Sequence, residues 1–308
     1  MKTSFLVGLS LILALAACTA LGTPTPPPAP ATETAAPAPT QAPTVASGLT
    51  LEQLRNMAYQ LQSSGTPRSV TLTDGAFASP DPAAPDYARI DLLDEVALGD
   101  LDGDGNADAA VLLAENYGGT GHFVSLIAML NRNGAPEQGP SAYIDDRPHI
   151  NSLTVENGVI TLDVVLHAPN DPMCCGTERT LMTFRLTDAG LTPESITTFT
   201  PDGRERSITI EFPVEGAEVS GSVQLTGSFS VSPFESTLAY KLYDAGGADL
   251  GTGPITVSAA EMGGPGTFET TVEVSHIPAG TALRIAVQDI SAADGSVMAM
   301  DSVSVVVK

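Results

Sequence analysis

Hydrophobic positions fall into several different patterns along the chain. From Phe5 to Ala17 the residues are apolar without a break except at Gly8 and Ser10. From Thr19 to about Ser47 there is no hydrophobic period, and nearly every position is Pro, Thr or Ala. Apolar residues then recur at helical spacing, at Leu51, Leu54, Met57-Ala58 and Leu61, with Thr50 placed to cap the start. This predicts one amphipathic helix from Thr50 to Gln62.

Beyond it the period shortens to that of strands. They are predicted at about Val70 to Leu72, Ile90 to Leu98, Ala109 to Ala114, Phe123 to Leu130, Ile150 to Glu156, Val159 to Leu166 and Arg179 to Leu186. Asn157-Gly158 lies between two alternating runs, and a two-residue hairpin turn needs positive φ at both central positions, which this pair tolerates.

The turn-rich stretch Thr200-Pro201-Asp202-Gly203 marks a change of character. After it come short alternating runs: Ser207 to Phe212, Ser222 to Gly227, Leu238 to Tyr243, Thr267 to Val274, Leu283 to Asp289 and Ser302 to Val307. Turn residues separate them, and no helical period appears, which predicts an antiparallel sandwich. The expected architecture is mainly β: a leader over 1–17, a tether over 18–48, an α+β domain over 49–200 and an antiparallel β-sandwich over 205–308.

The last part carries a specific resemblance. Ile208, Phe212-Pro213, Gly216, Val219, Val223, Gly227, Pro233-Phe234-Glu235, Leu238 to Leu242, Gly247, Phe268, Leu283 to Val287, Ser291 and Asp294-Gly295-Ser296 resemble the spore-germination-associated immunoglobulin-like domain called Gmad2. The resemblance implies an immunoglobulin-like sandwich of extracytoplasmic proteins with a binding or adhesive role and no catalytic residues. It does not imply sporulation, since such domains occur as modules.

The preceding domain resembles uncharacterised bacterial lipoprotein domains of the LppP/LprE kind through Gly99 to Gly105, the Asp145-Asp146-Arg147 turn and Asp171-Pro172-Met173-Cys174-Cys175. That group has no assigned chemistry.

The N-terminal pattern gives an expected address. One positive charge at Lys2 precedes an apolar run that is too short for a permanent membrane-spanning helix, as a signal peptide requires. Leu15-Ala16-Ala17-Cys18 resembles the lipobox of bacterial lipoproteins, which implies cleavage before Cys18 and its acylation with fatty chains such as palmitate. An ordinary secretory signal cut at a nearby small residue is the alternative. Each buried methylene contributes about 0.8 kcal/mol, so more than one chain on a single Cys holds firmly. Thr19 follows the Cys, in place of the Asp that resembles an inner-membrane retention signal in many diderm bacteria. The Pro/Thr/Ala stretch is expected to be a disordered, extended spacer, because it has too little apolar surface to offset its ordering entropy.

Charge narrows the partners. The formal net charge is −23, and no basic cluster interrupts it, which argues against nucleic acid and against an electrostatic grip on anionic lipid.

The sharpest candidate chemistry is Asp100-Leu-Asp102-Gly-Asp104-Gly105-Asn106-Ala-Asp108. Carboxylates at alternate positions around a glycine turn can direct successive oxygens onto one hard cation, here calcium, with Asn106 contributing its backbone carbonyl. The EF-hand's bidentate Glu is replaced by Val111, and the flanks are strands, so the loop resembles the strand-loop-strand calcium sites of FG-GAP-type repeats. An acidic solvated turn without metal is the competing reading.

Other constellations are weaker. Gly118-Gly119-Thr120-Gly121 lacks the Lys-Ser/Thr ending of a phosphate loop and is expected to be a mobile hairpin turn. His122, His149 and His167 share a domain with Cys174 and Cys175, but their spacing matches no zinc pattern. The adjacent Cys174 and Cys175 have three open readings: a strained vicinal disulfide, two free thiols, or contacts with another chain or metal. There is no Gly-x-Ser-x-Gly elbow, and Trp is absent.

Anchor, spacer and recognition-type module, without a catalytic signature, predict a non-enzymatic, extracytoplasmic lipoprotein with a binding or assembly role at the cell envelope. Its expected partners are the membrane, through the lipid, and an envelope protein or polymer. The alternatives are a calcium-dependent hydrolase of cell-wall or polysaccharide material and a solute-binding component.

Overall fold

A computed structural model describes residues 48–61 and 67–308. The expected leader, the acylation site Cys18 and the Pro/Thr/Ala tether lie outside the described residues.

The chain enters through a short helix. Thr50 Oγ1 accepts the Gln53 N–H at 3.2 Å and Gln53 Oε1 accepts the Thr50 N–H at 2.9 Å, a reciprocal cap at the start of α1 (Leu51–Arg55). The helix is shorter than its apolar spacing predicts. Leu54 is buried, but Leu51 is left 46% exposed, and after Asn56 the chain straightens into β1 (Ala58–Leu61). Tyr59 and Leu61 bury at alternate positions there, so the same apolar set serves a strand once β2 (Arg68–Thr71) pairs with it.

An antiparallel five-stranded sheet follows, built from β3 (Ala76–Ala78), β4 (Arg89–Gly99), β5 (Asp108–Asn116), β6 (Phe123–Arg132) and β7 (Ala135–Asp146) in that order. Every residue of β5 is buried, because both faces are covered. Ala109, Val111 and Leu113 pack against Leu54, Tyr59, Leu61 and Val70 on one side. Ala110, Leu112 and Ala114 pack against Ile160, Leu162, Val164 and Phe184 on the other. That second layer comprises β8 (His149–Glu156), β9 (Val159–Leu166), β10 (Glu178–Thr187) and β11 (Gly190–Phe199). Asn157 and Gly158 turn β8 into β9 with φ of 52° and 76°, the positive pair expected of this hairpin.

Residues from 205 onward form β12 (Glu205–Arg206), β13 (Ile208–Phe212), β14 (Glu218–Val219), β15 (Ser222–Phe229), β16 (Thr237–Asp244), β17 (Asp249–Ala259), β18 (Gly266–Glu273), β19 (Ala282–Ile290) and β20 (Val297–Val307). One layer pairs β13, β15 and β18, and the other pairs β16, β19 and β20. β17 is long enough to pair with β16 at one end and β18 at the other. Leu225, Ile255, Val272, Leu283, Ile285 and Val305 are among the side chains filling the space between them.

The two regions share a ladder. β11 pairs with β20 at Ser195↔Asp301, Ile196↔Met300 and Thr197↔Ala299. Thr198 Oγ1 donates to the Met298 carbonyl at 2.7 Å, and Ser302 Oγ donates to the Glu194 carbonyl at 2.9 Å. Thr200-Pro201-Asp202-Gly203 is the turn between β11 and β12, and the sheet runs on across it.

Candidate functional site

The Asp-rich loop joins β4 to β5. Gly99 at its start lies against β8 so closely that a Cβ would sit 2.4 Å from Val155 Cγ1, which fixes the loop's base. Asp100 Oδ1 accepts the Gly103 N–H at 2.8 Å and its Oδ2 accepts the Gly105 N–H at 2.9 Å, winding the chain around one carboxylate. Asp108, fully buried, accepts the Leu101 N–H at 2.8 Å and the Asn131 N–H at 2.7 Å. Burial pushes its carboxyl above the usual range.

Carboxylate oxygens of Asp100, Asp102 and Asp108 lie within 4.8 Å of one another. Asp104 and Asn106 stand outside this group and engage each other. The Asn106 backbone and side-chain amides donate to Asp104 at 2.7 and 3.0 Å and hold its carboxyl below the usual range.

One partner escaped the sequence reading. Arg132, at the end of β6, donates to Asp102 Oδ2 at 2.7 Å and approaches Asp104 Oδ2 at 3.7 Å, so the loop carries a counter-charge of its own. Nothing near Asp100 in sequence signals it, because β6 is brought alongside only by sheet pairing. A hard divalent cation takes six to eight oxygens in roughly this space, and ionised carboxylates accept several contacts each, so the donor set suits such an ion once Arg132 yields Asp102.

A second cluster lies at the opposite end of β5, about 26 Å away at roughly 3.3 Å per residue. The Gly118 to Gly121 turn is tied down there, since Asn116 Nδ2 donates to the carbonyls of Gly119 at 3.0 Å and Gly121 at 2.6 Å. Asp146 accepts the His122 N–H at 2.7 Å. Burial alone would raise its carboxyl, but Arg147 at 3.0 and 2.6 Å brings it below the usual range. Asp145 accepts from the His167 backbone at 2.8 Å and meets its Nδ1 at 2.9 Å, which raises the imidazole's pKa.

From His167 the chain loops through Cys174 and Cys175, which are joined in a disulfide with Cα atoms 3.8 Å apart. His167 thus links the Asp145-Asp146-Arg147 turn to the segment from Asp171 to Cys175, distant in sequence, through Asp145 on one side and the Met173 backbone on the other. Asp100, Asp102 and Asp108 are the metal-type His/Cys/Asp/Glu group found among the described residues, and no histidine or cysteine contributes to it.

A groove of about 510 Å³ opens between these ends over Phe123, Ser125, Ser141 and Tyr143, with Glu115 as its carboxylate. The Tyr117 hydroxyl donates to that carboxylate.

The order of strands in the second region, with β14 running parallel to the edge of β20 and a filled core between two layers, is that of an immunoglobulin-like sandwich. Residues 207–296 match the family described as the immunoglobulin-like domain of bacterial spore germination. The sandwich of the second region is of the Gmad2 type. No curated protein matches the chain.

The Gmad2 match ends before β20, so the strand that carries the seam to the first region lies beyond the matched residues. Within the Gmad2-type sandwich, Asp301 accepts the Ile210 N–H at 2.7 Å, and burial raises its carboxyl. Phe234 is 67% exposed and Met262 fully so, on the loops at one end.

Proposed function

We propose that this chain is a lipid-anchored, extracytoplasmic lipoprotein whose folded part has a non-enzymatic binding or assembly role at the cell envelope. The observation that carries the reading is the Gmad2-type immunoglobulin-like sandwich, a recognition architecture, on a chain whose Leu15-Ala16-Ala17-Cys18 resembles a lipobox and precedes a Pro/Thr/Ala-rich stretch. The exposed Phe234 and Met262 at one end of that sandwich are the apolar surface on which such recognition would centre. Cys18→Ser should shift the protein from the membrane fraction to the soluble extracytoplasmic fraction. Equal retention of both forms on the membrane, or a wall polymer degraded by the purified folded part, would overturn the reading.

Within it, calcium held by Asp100, Asp102 and Asp108 would act as a structural clip between β4 and β5, with the cation taking over Arg132's contact to Asp102. Calorimetric titration of chelated protein with calcium should then give saturable heat that Asp102→Ala abolishes. No heat and an unchanged melting temperature would sink the clip without touching the envelope role.

A further inference from the structure

The disulfide at Cys174 and Cys175 does nothing that disulfides ordinarily do for stability. A bridge stabilises a fold by closing a loop of the unfolded chain, an effect that grows with loop length, and between neighbours there is no loop to close. Its Cα separation of 3.8 Å is set by the peptide bond and lies below the roughly 4.4–6.8 Å of ordinary bridges, which makes the ring readily reduced.

The loop that carries it is held by other means. Asp171 accepts the N–H groups of Ala168 at 2.8 Å and Thr177 at 2.7 Å, together with the Thr177 hydroxyl at 3.0 Å. This clasp spans both cysteines and uses neither. Both are exposed, as are Pro172 and Met173 beside them, so an incoming thiol meets no barrier.

We propose that Cys174 and Cys175 form a thiol–disulfide exchange site, cycling between disulfide and dithiol against an extracytoplasmic dithiol partner. A thiolate of the partner attacks one sulfur, and the S–S bond breaks. A mixed disulfide forms while the other cysteine leaves as thiolate and takes a proton. The partner's second thiolate then attacks the mixed disulfide and releases the second cysteine, which is protonated in turn. Two electrons and two protons pass to the pair, and the partner departs as a disulfide. The Asp171 clasp keeps the loop in place through both states, so the cycle changes the chemistry of an exposed surface without opening the fold.

The test uses the full chain, purified in air and kept folded. Samples are treated with dithiothreitol, quenched with N-ethylmaleimide and digested, and the mass of the peptide spanning 174 and 175 is read. No label is expected before reduction and two labels after it, and none again in reduced samples that are freed of dithiothreitol and reoxidised with diamide before the quench. The melting temperature should be the same in both states and in a Cys174→Ser, Cys175→Ser variant, whereas Asp171→Ala should lower it by several degrees. Full labelling before reduction would overturn the proposal, as would resistance to the reductant until the protein unfolds. A melting temperature that falls when the pair is reduced would make it a structural staple and overturn it equally.

Discussion

The two halves of the fold are both layered β-structures, and one strand from each, β5 and β15, is buried in an opposite way. In the first, β5 lies in the middle of three layers and all of its residues are hidden, including Asp108, Glu115 and Asn116. In the Gmad2-type sandwich, β15 alternates: Val223, Leu225, Gly227 and Phe229 face the core, while Ser222 and Gln224 face solvent. A strand covered on both sides cannot display the period of two that marks a half-buried one. Polar groups inside the first region must therefore find partners within the protein. The polar side chains of Ser222 and Gln224 on β15 simply meet water.

The sharpest way to break this comparison is to place a polar side chain at consecutive positions. Val111→Asn and Leu112→Asn should each cost more than about 3 kcal/mol, since both bury an amide with no partner. In β15, Leu225→Asn should do the same, while its neighbour Gln224→Ala should change stability by no more than about 0.5 kcal/mol. Denaturant melts of the four variants decide it, and a Val111 or Leu112 variant that unfolds like the parent would dissolve the contrast.

A smaller effect sharpens it. Asp108→Ala strands the amides of Leu101 and Asn131 and should cost about 2–4 kcal/mol. Removing a single hydroxyl at the seam, as in Ser302→Ala, should cost only about 1 kcal/mol. Both are read from the same melts, and an equal cost at the two sites would mean that burial in the first region is not what sets the penalty.

The smallest effect concerns pH. Burial raises the Asp301 carboxyl above its unfolded value, so its contribution to stability is present below the ordinary Asp range and is lost as pH rises through the raised folded value. Asp301→Asn keeps an oxygen for the Ile210 amide and removes the titration. The stability of the parent should rise relative to this variant as pH is lowered from neutrality towards about 4. Parallel stability–pH curves for the two proteins would remove Asp301 from the account.

The same contrast explains what could be read beforehand. The Gmad2-type region was legible because alternation and turn residues recur along it, and its family match covers most of the strands. Several strands were nonetheless missed. β7 contains Pro136, Gly139 and Pro140, residues that argue against a strand but are tolerated at a sheet edge. β11 carries Pro193 beside an irregularity in its pairing with β10, and β17 holds Gly251, Gly253 and Pro254.

The predicted helix over 50–62 met a different limit, since Tyr59 and Leu61 satisfy a strand once a partner is in place. In the candidate site, the spacing of Asp100, Asp102 and Asp108 announced their convergence. The withdrawal of Asp104 towards Asn106 and the arrival of Arg132 depend on hydrogen-bond geometry and on a strand placed by tertiary pairing.

The seam between β11 and β20 bears on the order in which the molecule is made. β20 is synthesised after β1 to β19, yet it completes two structures at once, bordering β19 on one side and β11 on the other. Until it arrives, the first region carries an open edge at Ser195 to Thr197, a template on which a stray strand from another chain could pair. Closing it joins residues about a hundred positions apart in sequence, a slow step in any chain dominated by such distant pairings. A nascent or truncated form lacking β20 is thus exposed along a sheet edge in the half of the protein that is otherwise complete.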